Sequence, residues 1–163
     1  MIEPAERIIV ALDRPDLSSA LQLAEAVRPY VGAFKVGLEL FTAEGPPAVR
    51  QICALGGRVF LDGKFHDIPN TAAGACRAGV RTGAWMLNVH AAGGREMLKA
   101  AAAAVREEGR NRPGEEPILL GVTVLTSLNR PLLAEVLGSD VDPADHVLRL
   151  AVLCQECGLH GVV

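Results

Sequence analysis

The sequence predicts an α/β fold built on a parallel sheet. Three observations carry that prediction: β-rich runs begin every 25 to 33 residues, the runs are near-continuously apolar, and each gap between them holds a segment of helical periodicity. Strands that are apolar throughout are covered on both faces, and a connection long enough to hold a helix joins parallel neighbours.

The strands are expected at 8–12, 33–37, 58–62, 85–89 and 118–125, and Gly161-Val162-Val163 reads as the start of a sixth. Between them, 18–28 is an amphipathic helix after an Asp-Arg-Pro-Asp turn, and 46–55 is a second that opens on proline. Segments 71–82 and 95–108 supply the next two, the latter carrying the alanine run 100–104, and 145–157 makes a fifth. The polar stretch 107–117, with its Pro and Gly, reads as an exposed connection.

The placement of polar residues favours a closed barrel over a doubly wound sheet. Asp13, Lys35, Asp62, Lys64, His90 and Thr126 lie at or just past the carboxyl ends of strands, where a barrel carries its active site. The glycine-rich dinucleotide loop of the open-sheet alternative is missing after the first strand, which ends Ala11-Leu12-Asp13-Arg14-Pro15. A complete (β/α)8 barrel needs roughly 200 to 250 residues. With 163 residues the expectation is a single partial TIM-barrel domain over 1–163, five strand–helix units plus the beginning of a sixth strand. A chain ending inside an apolar strand leaves an unpaired edge, so it reads as truncated.

Composition narrows the function classes. Half of the residues are apolar, the net charge is −3, the pI is near 5.8, and there is one Trp and one Tyr, a pattern unsuited to nucleic-acid binding. No apolar stretch reaches the roughly 18 to 20 residues of a membrane span, and no secretory signal is visible, so the expected compartment is the cytoplasm. Four irregularly spaced cysteines fit a reducing environment rather than a disulfide framework. Cys154-Gln-Glu-Cys157, with His160 behind it, has metal spacing, but Val147, Leu150, Ala151 and Cys154 recur at helical spacing and are read as a packed face. No metal site is expected.

Residues 61–71, Leu-Asp-Gly-Lys-Phe-His-Asp-Ile-Pro-Asn-Thr, carry the chemistry. Asp62 and Lys64, two apart on a strand, share a face, with Asp67 on the loop beyond. Taken alone, the pair could be a structural ion pair at a strand end. Asp13 could equally cap a turn, Thr126 could open a loop, and His90 reads as a supporting group rather than a catalyst. Gly93-Gly94 lacks the Lys-Ser/Thr of a P-loop and suggests a tight turn.

Five motifs stand in order along the chain: Ile9-Val10-Ala11-Leu12-Asp13, Phe34-Lys35-Val36-Gly37, Asp-x-Lys-x-x-Asp from Asp62 with its continuation through Thr71, Asn88-Val89-His90-Ala91-Ala92-Gly93-Gly94 and Val122-Thr123-Val124-Leu125-Thr126-Ser127. Together they resemble the orotidine 5′-phosphate decarboxylase family. The resemblance covers the amino-terminal two thirds of that family. It implies cofactor-independent decarboxylation of orotidine 5′-monophosphate to uridine 5′-monophosphate in pyrimidine synthesis. Lys64 would donate the proton that replaces carbon dioxide, within a network of alternating charge formed with Lys35, Asp62 and Asp67. In the family the residue matching Asp67 comes from the other subunit, so the site would be complete only in a homodimer, with Asp67, Ile68 and Thr71 reaching across. Asp13 and Lys35 would contact the ribose hydroxyls and Thr126 the pyrimidine edge.

The chemistry accounts for these residue types. Loss of carbon dioxide from the ring leaves a carbanion with no electron sink, so preorganised positive charge must stand where negative charge develops. Asp62, set against the substrate carboxylate, would oppose the ground state. Two departures from the family pattern stand out. Gly63 occupies a position where many members carry Leu, on a side chain expected to face away from Asp62 and Lys64, and the family's phosphate-gripping Arg and Gln have no counterpart. Because remote binding energy from the phosphate lowers the barrier, the 163-residue chain alone is expected to be inactive. The alternatives are a magnesium-dependent sugar-phosphate decarboxylase or aldolase on the same barrel, against which Lys35 argues because a metal site wants carboxylates, and a non-catalytic association module.

Overall fold

The computed structural model of the chain describes residues 3–112 and 116–163. Six strands, β1 (Ile9–Ala11), β2 (Ala33–Val36), β3 (Arg58–Phe65), β4 (Met86–His90), β5 (Ile118–Val122) and β6 (Gly161–Val162), form one sheet in sequential order, and every pair is parallel. The helices between them are α1 (Leu17–Val27), α2 (Leu38–Glu44), α3 (Pro46–Ala54), α4 (Pro69–Arg81), α5 (Gly94–Gly109), α6 (Arg130–Leu137) and α7 (Pro143–Glu156).

Sequential order decides between the two expected architectures. A doubly wound sheet reverses its strand order to place helices on both faces, whereas crossovers of constant hand between successive neighbours place them all on one. Here the order never reverses, so the sheet is a sector of a barrel wall with its other face turned inward. Eight strands close such a barrel. Among the described residues β1 and β6 each pair on one side only, and the wall stays open.

Side-chain alternation sorts the two faces. Val59, Leu61, Leu87 and Leu119 are fully buried and belong to the core between sheet and helices. Residues of opposite parity, Lys35, Asp62 and Asn88, point inward from β2, β3 and β4. The helices are fixed by local chemistry. The Asp16 carboxylate caps α1 by accepting from Ser19 N–H at 2.8 Å, and that of Asp142 caps α7 by accepting from Ala144 N–H at 2.9 Å. Proline opens α3, α4 and α7.

Where the observed elements differ from expectation, the reasons are local. The helices α2 and α6 are additional; with 7 and 8 residues they are too short to show a period. The third strand runs three residues past Asp62 to Phe65, and the fifth stops at Val122, three short of expectation. Residues 107–109 of the expected connection continue α5, Pro117 is buried, and 113–115 lie outside the described residues. Cys154 is buried and fills the space over Gly121 of β5, while His160 Nδ1 accepts the Leu119 N–H at 3.0 Å. The Cys-x-x-Cys is thus part of helix packing, and Gly94, with φ +82°, makes the turn into α5.

Packing of α4 on the sheet yields a prediction. At Gly79 a Cβ would overlap the buried Leu87 side chain and come within 3.4 Å of Leu61, whereas at Gly74 on the same helix it would meet nothing within 4 Å. Gly74→Ala is therefore expected to stabilise by about 0.5–1 kcal/mol through helix propensity. Gly79→Ala is expected to destabilise by about 1–2 kcal/mol, because overpacking outweighs that gain. Urea unfolding of the two variants checks the opposite signs; equal shifts would contradict this packing.

Candidate active site

The inward residues at the carboxyl end of the sheet form one electrostatic array. Lys35 at the end of β2 places Nζ 3.4 Å from Asp13 Oδ1 and 3.3 Å from Asp62 Oδ2. The Lys64 Nζ lies 2.6 Å from Asp62 Oδ1. The order is therefore carboxylate, ammonium, carboxylate, ammonium, from Asp13 through Lys35 and Asp62 to Lys64. Asp62 is its most buried member, with a side chain 11% exposed against 24% and 28% for the lysines and 65% for Asp13.

Burial by itself would raise the Asp62 pKa, since desolvation penalises the anion. Hydrogen bonds from Lys64 and Asn88, followed by the charges of Lys64 and Lys35, outweigh it, and the carboxyl group is held below its ordinary value. Asp62 is thus an anion at neutral pH, clamped between two cations.

The convergence of Asp62 and Lys64 has a cause that simple alternation misses. Leu61 pairs with Leu87 and Phe65 with Val89, so three residues of β3 lie opposite the single residue Asn88. Two extra residues make a bulge. Lys64 sits in it at φ +47°, the sole non-glycine residue with positive φ among the described residues. The bulge re-aims Lys64 towards Asp62 and turns its backbone N–H onto Asn88 Oδ1 at 2.7 Å. Gly63, between the two charged residues, is constrained as well. A Cβ there would come 2.7 Å from the Phe65 ring, so a larger residue requires that ring to move.

Not every expected site residue joins the array. Asp67 is exposed, its carboxylate accepts the Ile68 N–H at 2.6 Å, and it makes no ion pair among the described residues. Ile68 is 68% exposed, and Thr71 is exposed in the first turn of α4. Thr126 is exposed on the turn after β5. His90 ends β4 with its ring centroid 5.3 Å from that of His66; burial, then the charges of His66 and Lys64, lower its pKa, so the neutral form is favoured.

Two residues with no role assigned from the sequence also shape the array. Asn88 is fully buried in β4, and its Nδ2 donates to Asp62 Oδ1 at 2.6 Å. The signal was present: a lone amide between apolar neighbours on an inward parity. Gly37 is the other, since a Cβ there would approach Lys35 Nζ to 3.1 Å and Asp13 Oδ1 to 3.4 Å. Its missing side chain leaves room for the ion pair.

The chain is similar in sequence and in fold to known proteins. The family model described as orotidine 5′-phosphate decarboxylase / HUMPS matches residues 6–163. Orotidine 5′-phosphate decarboxylase from Moorella thermoacetica is 58% identical over 97% of this chain and 63% of its own length. That from Pseudomonas putida is 51% identical over 96% of this chain and 65% of its own. The chain thus spans a little under two thirds of the length of these relatives. Among solved structures, an uncharacterized conserved protein from Geobacillus kaustophilus superposes with TM-score 0.85 at 40% identity, covering 94% of this chain and 71% of that one. Orotidine 5′-phosphate decarboxylase from Lactobacillus acidophilus superposes with TM-score 0.83 at 34% identity, covering 95% and 69%. With its sequential parallel sheet and this match over nearly its whole length, the chain belongs to the orotidine 5′-phosphate decarboxylase / HUMPS family.

Proposed function

We propose that this chain carries the catalytic centre of a cofactor-independent orotidine 5′-monophosphate decarboxylase that acts as a cytoplasmic homodimer. The observation that carries the reading is the Lys64 ammonium held 2.6 Å from an ionised Asp62 on the inward face of a barrel wall. In this reading the bond between the pyrimidine C6 and the carboxylate carbon breaks, carbon dioxide leaves, and the electron pair stays on C6. The Lys64 Nζ stabilises that pair and then gives C6 its proton, and the neutral amine left behind takes a proton from water. Asp62 faces the departing carboxylate, so like charge opposes the bound substrate and is relieved as carbon dioxide forms. Asp13 and Lys35 meet the ribose hydroxyls, and Thr126 the pyrimidine edge.

The homodimer is supported by the exposed segment after β3. Asp67 is exposed and makes no ion pair with its own array among the described residues, and the neighbouring Ile68 presents a largely exposed apolar side chain, as a subunit contact needs. In the dimer Asp67, Ile68 and Thr71 of each subunit complete the other's site. The magnesium-dependent reading is disfavoured by charge. A divalent cation ligated by Asp62 would lie beside two ammonium groups, already within 3.3 and 2.6 Å of that carboxylate.

Two outcomes test this. With the chain extended to the length of its relatives, orotidine 5′-monophosphate is expected to be decarboxylated without added metal. Lys64→Ala is expected to lower kcat by about 10³-fold or more, and the 163-residue chain alone is expected to show no turnover. Full activity in the Lys64→Ala variant, or dependence on magnesium, would contradict the reading. The shared site predicts a second result. Mixing inactive Lys64→Ala and Asp67→Ala proteins should restore activity, up to about a quarter of wild type, because each hybrid dimer holds one intact site. No recovery on subunit exchange would rule out a site completed by the partner.

A further inference from the structure

We propose that Asn88 is a positioning residue for the decarboxylation, its side-chain amide locking both the Asp62 carboxylate and the Lys64 backbone so that the Lys64 ammonium is aimed at the reacting carbon. The inference rests on the catalytic role proposed above for Lys64 and Asp62. Asn88 has no exposed surface and sits mid-strand between Leu87 and Val89, which are also fully buried. An amide there is unfavourable unless both of its ends are bonded. Both are: Oδ1 accepts from Lys64 N–H at 2.7 Å and Nδ2 donates to Asp62 Oδ1 at 2.6 Å. The orientation is fixed by its partners, because a backbone N–H can only donate and a carboxylate can only accept.

The two bonds do separate work. Opposite the bulge, Asn88 supplies the acceptor for the Lys64 N–H, holding a lysine at a positive φ that its side chain disfavours. Through the second bond it donates to the same Asp62 oxygen that receives the Lys64 Nζ, which sets the carboxylate plane and leaves Oδ2 to Lys35 at 3.3 Å. Asn88 is fully buried and bonded to both residues it orients, so it acts through them.

The test uses the extended protein and measures kcat and KM from pH 5 to 9 for wild type, Asn88→Ala and Asn88→Asp, with circular dichroism as a control for folding. Asn88→Ala is expected to lower kcat about 10²-fold with KM changed less than about threefold, the split expected for an interaction expressed in the transition state. Asn88→Asp keeps the shape and the acceptor. Ionised, it repels Asp62; protonated, it donates in place of the amide. Two adjoining carboxyl groups share a proton at a raised pKa, so kcat of this variant should recover towards wild type as pH falls, a limb absent from the wild-type profile. Wild-type kcat in both variants, or a loss with the wild-type pH profile in both, would overturn the inference, as would failure of both variants to fold. An inactive wild type in the same assay would instead sink the decarboxylase reading and this inference together.

Discussion

The site depends on one constraint: a mostly buried carboxylate, Asp62, must stay ionised between two ammonium groups. Removing such an anion from water is costly, and attraction to one surface cation seldom repays it. Here the cost is met from three sides, by Lys64 at 2.6 Å, Lys35 at 3.3 Å and the Asn88 amide at 2.6 Å. The lysines in turn are held in an arrangement that free side chains on a flat strand would not keep. The charge that the proposed decarboxylation requires is thereby in place before a substrate arrives, which is the condition for electrostatic stabilisation without reorganisation.

Backbone geometry makes that arrangement possible. A regular β3 would carry Asp62 and Lys64 on one face but would pair each with a different residue of β4. The two-residue bulge sets both against Asn88, so one amide serves a carboxylate and a strained backbone together. The surrounding wall has to be rigid for this to hold. Leu61 and Leu87, immediately before the bulge on the two strands, are fully buried under α4, and Gly79 lets the helix come close enough to press on both. Core packing on the outer face and charge placement on the inner face are thus two parities of the same strands.

Much of this could be read from the sequence, and what could not has identifiable causes. The apolar runs of β2 and β4 stood out because most residues there are buried and none is fully exposed, and Pro46 and Pro69 marked helix starts. The charge cluster was visible because Asp62 and Lys64 are neighbours in the chain, and its extension to Asp13 and Lys35 followed from their places at strand ends. The bulge was hidden, since an Asp-Gly-Lys segment alternates correctly on paper and only the pairing of Leu61 and Phe65 with residues two apart on β4 exposes the extra length. Asn88 lies within a recognisable motif, yet its role depends on a residue 24 positions away, a distance no local pattern spans. The helices α2 and α6 escaped because seven or eight residues complete barely two turns.

The central claim is that the Lys64 ammonium both stabilises negative charge at the pyrimidine C6 and holds the proton delivered there. Its most direct test removes the carboxylate altogether and runs the proton step in reverse. Uridine 5′-monophosphate is incubated with the extended protein in deuterium oxide, and the C6 hydrogen is followed by proton NMR. The account predicts exchange of that hydrogen for deuterium with wild type and none above background with Lys64→Ala. Exchange that survives loss of Lys64, or a wild type that decarboxylates its substrate yet never exchanges the product, would contradict it.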